Sequence, residues 1–350
     1  MMNNQFLKLS LIIWLQALWH FNLILGGTVQ TYLTDDSPVP QPIDHEIYSN
    51  LFTYAHLIDI SYCISQGKKI SKPFNCDLNC EKRFPNMTLV HQWCFADSVC
   101  GYIATTYRNI FFNNRTDAEE NPRKCIIVSL RGTRSIFDTY KDLKANMVKY
   151  TELGRSLPRC GNDCKVHQGF YEYFQYTLNN INRYLEDELS QDDDYELVFL
   201  GHSMGGSISL LLALHYLDLG YDRLTLVTMG QPLVGNEDFV HWVDKVTGSS
   251  VKPQHNSFKR KYFRIIHRND IITTIPRSRN IFETYYQFDN QIYLNCSSAN
   301  YMPSPNQVID CINGNNLHCI RGDISNNINR NYYESHNTYF RKLGLCGIKL

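Results

Sequence analysis

Hydrophobic and polar residues follow two alternating patterns through the middle of the chain. Apolar residues recur every three or four positions in 45–63, 167–189 and SISLLLALHYL (207–217), which predicts helices. Short runs rich in β-branched and aromatic residues predict buried strands at CIIVSL (125–130), ELVFL (196–200), LTLVTMG (224–230) and KYFRIIH (261–267). Strands alternating with helices indicate an α/β fold, with a central, mainly parallel sheet covered by helices on both faces. No repeat or low-complexity linker divides the chain, so residues 28–350 are predicted to form one domain.

The first 27 residues differ from the rest. Lys8 is the only charged residue before the apolar run LSLIIWLQALW (9–19), and small residues follow at 26–28. This order predicts a secretory signal peptide over residues 1–27, although a clean A-x-A cleavage site is missing. An uncleaved membrane anchor is the alternative, because the apolar stretch continues to Leu25.

Charge and cysteine content narrow the classes of function. Lys and Arg together number 34, as do Asp and Glu, so no overall field favours nucleic acid or an anionic membrane. The predicted partner is a neutral small molecule or a lipid. Twelve cysteines and three N-x-S/T sites, at Asn86, Asn114 and Asn295, suit an oxidising, extracellular compartment. The cysteine spacing lacks the paired knuckles of a zinc site, and neither a metal nor an organic cofactor is predicted.

The clearest candidate for chemistry is GHSMG (201–205), a G-x-S-x-G motif between the predicted strand ELVFL and a predicted helix. A sharp strand-to-helix turn presents the hydroxyl of Ser203 at the sheet edge, and glycines beside it avoid collisions with neighbouring backbone. The helix N-terminus supplies N–H groups and a partial positive charge where an oxyanion can form. The alternative is a Gly-rich connection that is tightly packed for steric reasons only.

A nucleophilic serine needs a base and an orienting acid, which follow in the chain order Ser, Asp, His in this kind of fold. Asp270 comes just after the strand-like KYFRIIH, and His336 follows 66 residues later. His267 competes as the base but is predicted to end the strand itself, and His318 lies beside Cys319 in what reads as a stapled loop. The competing carboxylates, which have no predicted strand before them, are Asp289, Asp310 and Asp323.

Taken together, these stretches resemble the class 3 lipase family of fungal triacylglycerol lipases, and most of all the extracellular yeast lipases. The matching segments run in family order from about Tyr48 to Ile348: SLRGTRS (129–135), KVHQGF (165–170), GHSMGG (201–206), TMGQPLVGN (228–236), HRNDIITTIP (267–276) and SHNTYF (335–340), followed by LGLCGI. The resemblance implies an α/β-hydrolase fold and a Ser203–His336–Asp270 triad, the residues that the local patterns also favour.

The resemblance assigns further parts of a site. It implies an oxyanion hole formed by Thr133 and the backbone N–H of Met204, with Asp142 holding the Thr133 hydroxyl in place. It also places a short helical lid at about 134–152, which would cover a hydrophobic trough in water and open at a lipid surface. Asp142 could instead be an ordinary charge on an exposed helix, and amphipathic helices usually just face a core.

The cysteine pairing that the resemblance implies is Cys63–Cys346, Cys76–Cys80, Cys160–Cys164 and Cys311–Cys319. Cys94 and Cys100 are close enough in sequence to form an additional staple. Cys125 and Cys296 are then left as free, buried thiols.

The predicted function is therefore a secreted, monomeric triacylglycerol lipase that acts at a lipid–water interface through an acyl-enzyme, without a cofactor. An esterase on soluble or aromatic esters, or a phospholipase, is the alternative, because one fold hosts all three activities. A lipid-binding relative without catalysis is the remaining alternative. His202, beside the nucleophile, is predicted to be a wall of the pocket, and His167 a structural hydrogen-bonding residue.

Overall fold

The computed structural model describes residues 39–95, 97–111, 123–134, 146–191, 194–252, 258–276, 283–311, 313–314, 316, 319 and 331–346. Residues Val39–Leu350 form one compact unit. Several features predicted from the sequence lie outside the described residues: the signal peptide, Asn114, Asp142, most of the lid, His318 and Asp323. No helix of the described part is long and apolar enough to cross a membrane.

A nine-stranded sheet forms the centre of this unit. In order across the sheet, the strands are β1 (Gln41–Pro42), β11 (Val308–Asp310), β10 (Ile292–Leu294), β9 (Tyr262–His267), β8 (Leu224–Met229), β7 (Tyr195–His202), β4 (Lys124–Arg131), β3 (Val99–Tyr107) and β2 (Thr88–Phe95). The five strands from β4 to β10 are parallel to one another, and the strands outside them run antiparallel. The predicted parallel sheet is thus confirmed for the centre, and antiparallel strands close both edges. A separate two-stranded sheet pairs β5 (Met147–Lys149) with β6 (Lys165–His167).

Helices cover both faces of the large sheet. They are α1 (His45–Ser61), α2 (Cys80–Arg83), α3 (Gln168–Leu189), α4 (Met204–Asp218), α5 (Glu237–Val246) and α6 (Asn331–His336). The buried residues of α1 pack with Ile127 on one side of β4, whereas those of α3 and α4 pack with Ile126 and Val128 on the other. Both faces of the central strands are therefore buried, which is why their sequences read as continuous apolar runs. The predicted helices and strands are confirmed, and so is the α/β class.

The structure shows the surroundings of two polar residues, Asp310 and His167, for which the sequence made predictions. Asp310 was expected to have no strand before it, but it is the last residue of β11 and accepts hydrogen bonds from the buried guanidinium of Arg260. A three-residue strand carries too little pattern to be recognised in sequence. His167 has the structural role that was predicted, because its Nδ1 accepts a hydrogen bond from the backbone N–H of Phe170 and so caps α3.

Five disulfides join the described cysteines: Cys63–Cys346, Cys76–Cys80, Cys94–Cys100, Cys160–Cys164 and Cys311–Cys319. Cys125 and Cys296 are free and buried. The four pairs that the resemblance implies are confirmed, and Cys94–Cys100, which the sequence left open, forms the fifth. Cys63–Cys346 ties the segment just after α1 to the segment just after α6, which carries the candidate base at its end.

Candidate active site

The turn between β7 and α4 holds Ser203 in a backbone conformation that side chains rarely adopt. Its φ is 56° and its ψ is −134°, and its N–H donates to the carbonyl oxygen of Met229 on the neighbouring strand. Such a conformation costs of the order of 1–3 kcal/mol and persists only where the surrounding structure enforces it. The turn therefore has the strained geometry predicted from GHSMG.

Close packing explains the glycines of the motif. A Cβ on Gly201 would lie 2.4 Å from the carbonyl oxygen of Gly205, and a Cβ on Gly205 would lie 2.7 Å from the carbonyl oxygen of Leu130. These contacts involve backbone atoms, which cannot move aside as a flexible side chain can. The turn GHSMG (201–205), called the elbow below, thus packs directly on the end of β4 as well as on its own helix.

Asp270 and His336 meet although they are far apart in sequence. The Nδ1 atom of His336 lies 2.9 and 3.0 Å from the two carboxylate oxygens of Asp270, and both side chains are fully buried. Asp270 stands just after β9 at the carboxyl edge of the sheet, where its Oδ1 also accepts the N–H of Ile272. His336 ends α6, and its ring centroid lies 4.7 Å from that of His202, the residue before Ser203. The structure thus brings Ser203, Asp270 and His336 to one edge of the sheet.

A tyrosine that the sequence did not single out completes the surroundings of Asp270. The Tyr339 hydroxyl donates to Asp270 Oδ2 at 2.5 Å, and it accepts the backbone N–H of His267 at 3.1 Å. Although burial alone would raise the pKa of Asp270, the ring of His336 and these hydrogen bonds lower it. Burial and the charge of Asp270 raise the pKa of Tyr339, so its hydroxyl stays protonated and remains a donor.

His202 is buried and links two parts of the site. Its Nε2 lies 2.7 Å from the carbonyl oxygen of His336, which can only accept, so Nε2 carries the proton. Burial, with His336 nearby, lowers the pKa of His202 to about 3, so the ring is neutral and its Nδ1 is an acceptor. The Tyr62 hydroxyl donates to that nitrogen at 2.5 Å. This link could not be predicted from sequence, because Tyr62 and His202 lie far apart along the chain.

The loop after β4 lies against the nucleophile. A Cβ on Gly132 would lie 2.9 Å from the Cβ of Ser203 and 3.1 Å from the backbone nitrogen of Met204. Thr133 and Met204 are both buried in this region. The structure therefore brings Thr133 and the Met204 N–H, the two predicted oxyanion donors, into the neighbourhood of Ser203. Asp142, their predicted support, lies outside the described residues.

Two atoms of this region have hydrogen-bonding capacity to spare. Ser203 Oγ and His336 Nε2 are buried, and neither makes a hydrogen bond among the described residues. Serine hydrolases use a hydroxyl and an imidazole whose other nitrogen is held by a carboxylate, and Asp270 holds Nδ1 of His336 in this way. In the absence of substrate such contacts are often long and shorten only during reaction.

Comparison with known proteins is consistent with this geometry. The family model described as Lipase (class 3) matches residues 127–280. The secreted mono- and diacylglycerol lipase 2 of Gibberella zeae is 30% identical over 314 residues, which cover 85% of this chain and 74% of that protein. The chain belongs to the class 3 lipase family. Lipase A of Sodiomyces alcalophilus is 29% identical, with 91% of this chain and 78% of that protein covered.

The fold is similar to the solved structures of other fungal lipases. The crystal structure of Lip2 lipase from Yarrowia lipolytica is 31% identical, with a TM-score of 0.71, and the match covers 89% of this chain and 99% of that one. Lipase II from Rhizopus niveus shares the fold at 20% identity, with a TM-score of 0.63. This class 3 lipase is thus a carboxylic-ester hydrolase with the α/β-hydrolase fold.

Proposed function

We propose that this lipase cleaves acylglycerol esters through an acyl-enzyme formed on Ser203. His336 takes the Ser203 proton as the hydroxyl attacks the ester carbonyl, and it then protonates the departing glycerol oxygen. Asp270 holds the imidazole in the tautomer with its proton on Nδ1 and stabilises the imidazolium that forms. Water, activated by the same histidine, then releases the fatty acid.

Thr133 and the backbone N–H of Met204 bind the oxyanion in this proposal. Their contribution is catalytic because they bind the tetrahedral oxyanion more strongly than the ester carbonyl of the ground state. The close approach of Gly132 to Ser203 and Met204 supports this role. Asp142 is proposed to orient the Thr133 hydroxyl, by its resemblance to the family.

One observation carries the proposal. Ser203, held at φ 56° on a strand-to-helix turn, shares a buried site with a His336–Asp270 pair joined at 2.9 Å. Neither a strained serine nor a buried His–Asp pair is required by packing alone, since both cost free energy of folding. Their convergence at the carboxyl edge of a central parallel sheet supports nucleophilic ester hydrolysis.

The substrate class is supported by the relatives. Those from Gibberella zeae and Fusarium solani are named secreted mono- and diacylglycerol lipases. We propose that this chain takes tri-, di- and monoacylglycerols, that it is exported by its first 27 residues, and that it acts as a monomer at the lipid–water interface. The lid over the acyl site is proposed to lie within the earlier part of 134–152, because Met147–Lys149 form strand β5 rather than the predicted helix and Tyr150 is buried in the core.

The testing experiment measures initial rate against concentration for emulsified trioctanoin, dioctanoin and a soluble butyrate ester. Wild type should hydrolyse all three, and its rate on trioctanoin should rise as the lipid exceeds its solubility. Ser203→Ala should lose activity by a factor of about 10⁵–10⁶, because residual catalysis comes only from the oxyanion hole and binding. Equal rates for wild type and Ser203→Ala would contradict the proposed nucleophile, and turnover of the butyrate ester alone would favour an esterase.

A further inference from the structure

The guanidinium of Arg131, the last residue of β4, is fully buried and contacts three separate segments. Its Nε donates to the carbonyl oxygen of Ile64 at 3.1 Å. Nη1 donates to the carbonyl oxygens of Asp97 at 3.0 Å and of Gly132 at 2.8 Å. Nη2 forms an ion pair with Asp97 Oδ1 at 2.5 Å. A buried charge is stabilised only by such complete pairing, so the position of this side chain is closely determined.

The contact of Arg131 with the Gly132 carbonyl oxygen also determines the direction of the Thr133 N–H. The carbonyl oxygen of Gly132 and the N–H of Thr133 belong to the same planar peptide and point in opposite directions. Arg131 holds that oxygen, and so it fixes the rotation of the whole peptide plane. The same peptide lies against the nucleophile, since a Cβ on Gly132 would come within 3.1 Å of the Met204 nitrogen.

The far side of Arg131 is anchored rigidly. Asp97 lies in the turn between β2 and β3, which the Cys94–Cys100 disulfide closes. Among the described residues, Cys94, Asp97 and Cys100 are the one group whose side-chain atoms lie close enough together to hold a metal ion. Because both sulfur atoms belong to the disulfide, they are not available as metal ligands. Ile64 directly follows Cys63, which the second disulfide ties to Cys346. The two partners of the guanidinium that lie outside the β4 segment, Ile64 and Asp97, are therefore both next to covalent cross-links.

We propose that Arg131 is a positioning residue for the oxyanion hole: it orients the Gly132–Thr133 peptide so that Thr133 meets the developing oxyanion. This inference rests on the proposed function of Ser203 and Thr133. Arg131 itself does not touch the substrate. Its effect is confined to the transition state, because only there does the carbonyl oxygen become the anion that Thr133 binds.

The test uses Arg131→Lys and Asp97→Asn in the full-length protein. A lysine cannot reach Ile64, Asp97 and Gly132 together, because it lacks the planar fork of donors. Asp97→Asn keeps Arg131 and the disulfide but removes the carboxylate charge. Arg223→Lys is the matched control, since Arg223 is half exposed and bonded to Asp194. The measurements are kcat and KM on a soluble butyrate ester, and the Ki of an alkylboronic acid, which forms a tetrahedral anion on the serine oxygen.

Arg131→Lys should lower kcat by about 10- to 100-fold with KM within about twofold, since misaligning a donor costs part of what deleting it costs. The boronate Ki should rise by the same factor. Asp97→Asn should lose less kcat, and its boronate Ki should rise by a factor equal to that smaller loss. A fall in kcat with unchanged boronate Ki, or no fall in either variant, would overturn the proposal. Phosphonate titration of Ser203 counts folded sites, so misfolding is not mistaken for an effect. Failure of wild type to form the boronate or phosphonate adduct would instead contradict the proposed nucleophile.

Discussion

His202 donates a hydrogen bond from Nε2 to the backbone carbonyl oxygen of His336 at 2.7 Å. The residue before the candidate nucleophile therefore holds the main chain of the candidate base. Tyr62, which donates to the other nitrogen of His202, extends the link to the segment after α1. The strand-to-helix turn thus helps to position the candidate base.

Breaking this link should reduce the rate more than it weakens binding. His202→Phe removes the donor and leaves the His336 carbonyl oxygen buried and unpaired, so we expect kcat to fall by about 10-fold or more, in line with a cost of about 1–3 kcal/mol. His202→Gln can donate and accept, and it should retain more of the rate. Tyr62→Phe removes only the second bond and is the milder variant. The check is kcat and KM on a soluble ester; equal kcat for His202→Phe and His202→Gln would contradict the link.

The same histidine should make stability depend on pH. Its folded pKa is lowered from 6.5 to about 3, mainly by burial, so the unfolded chain binds one more proton between these values. Stability from this group is therefore present above pH 6.5 and is lost as pH falls, at about 1.4 kcal/mol per pH unit. Urea unfolding gives the free energy of unfolding at each pH from 7 to 4. As pH falls, this free energy should decrease less steeply in His202→Gln than in wild type, by about 1.4 kcal/mol per pH unit. Parallel slopes for the two proteins would mean that His202 is protonated in the fold.

Tyr339→Phe should act through Asp270. The pKa of that carboxyl is lowered in the fold, so its stabilising contribution is present above the ordinary value of 3.8 and is lost as pH falls through the folded pKa. Loss of the Tyr339 donor should raise the pKa of Asp270 and lower stability at pH 7 by about 1.5–3 kcal/mol. The deficit should shrink as pH falls through the folded pKa of Asp270, which lies below 3.8. Unfolding free energies of wild type and Tyr339→Phe, measured from pH 7 down to the lowest pH at which both proteins fold, provide the measurement, and a deficit independent of pH would show a packing effect only.

Gly205→Ala should separate the elbow from β4. The added Cβ would lie 2.7 Å from backbone atoms of Leu130 and Arg131, so one of the two segments must shift. We expect a loss of about 1–3 kcal/mol in stability, together with a fall in kcat, because the segment that shifts leads to Thr133. Gly67→Ala is the matched control, since nothing lies within 4 Å of its Cβ. Thermal unfolding and ester hydrolysis of both variants test this; a stable, fully active Gly205→Ala would refute it.

Sequence patterns were sufficient for the elements that carry a long or periodic signal. The apolar runs of β4, β7, β8 and β9 are buried on both faces, and this burial is what makes them recognisable. The elbow was predictable because its glycines are required by contacts within one short segment. Asp270 could be placed at the sheet edge because it follows the recognisable strand β9.

Contacts between distant segments were not predictable in this way. The linking role of His202 was not predicted, since its partners Tyr62 and His336 are brought to it only by the fold. Tyr339 lies in the segment SHNTYF (335–340), whose pattern says nothing about the partner of its hydroxyl. Likewise, Arg131 reads as a polar residue at the end of a strand, and only the structure gives it Asp97. The short strands β1, β10 and β11 on one side of the sheet have two or three residues each, too few for a periodic signal.

The Cys63–Cys346 disulfide spans 283 positions, and it has a consequence for biosynthesis. The ribosome completes the nucleophile turn long before it reaches His336, and Cys63 waits still longer for its partner. The candidate base is therefore synthesised long after the candidate nucleophile. The disulfide closes only after Cys346 has emerged, so the cross-link that holds the segment after His336 is the last of the five to become possible.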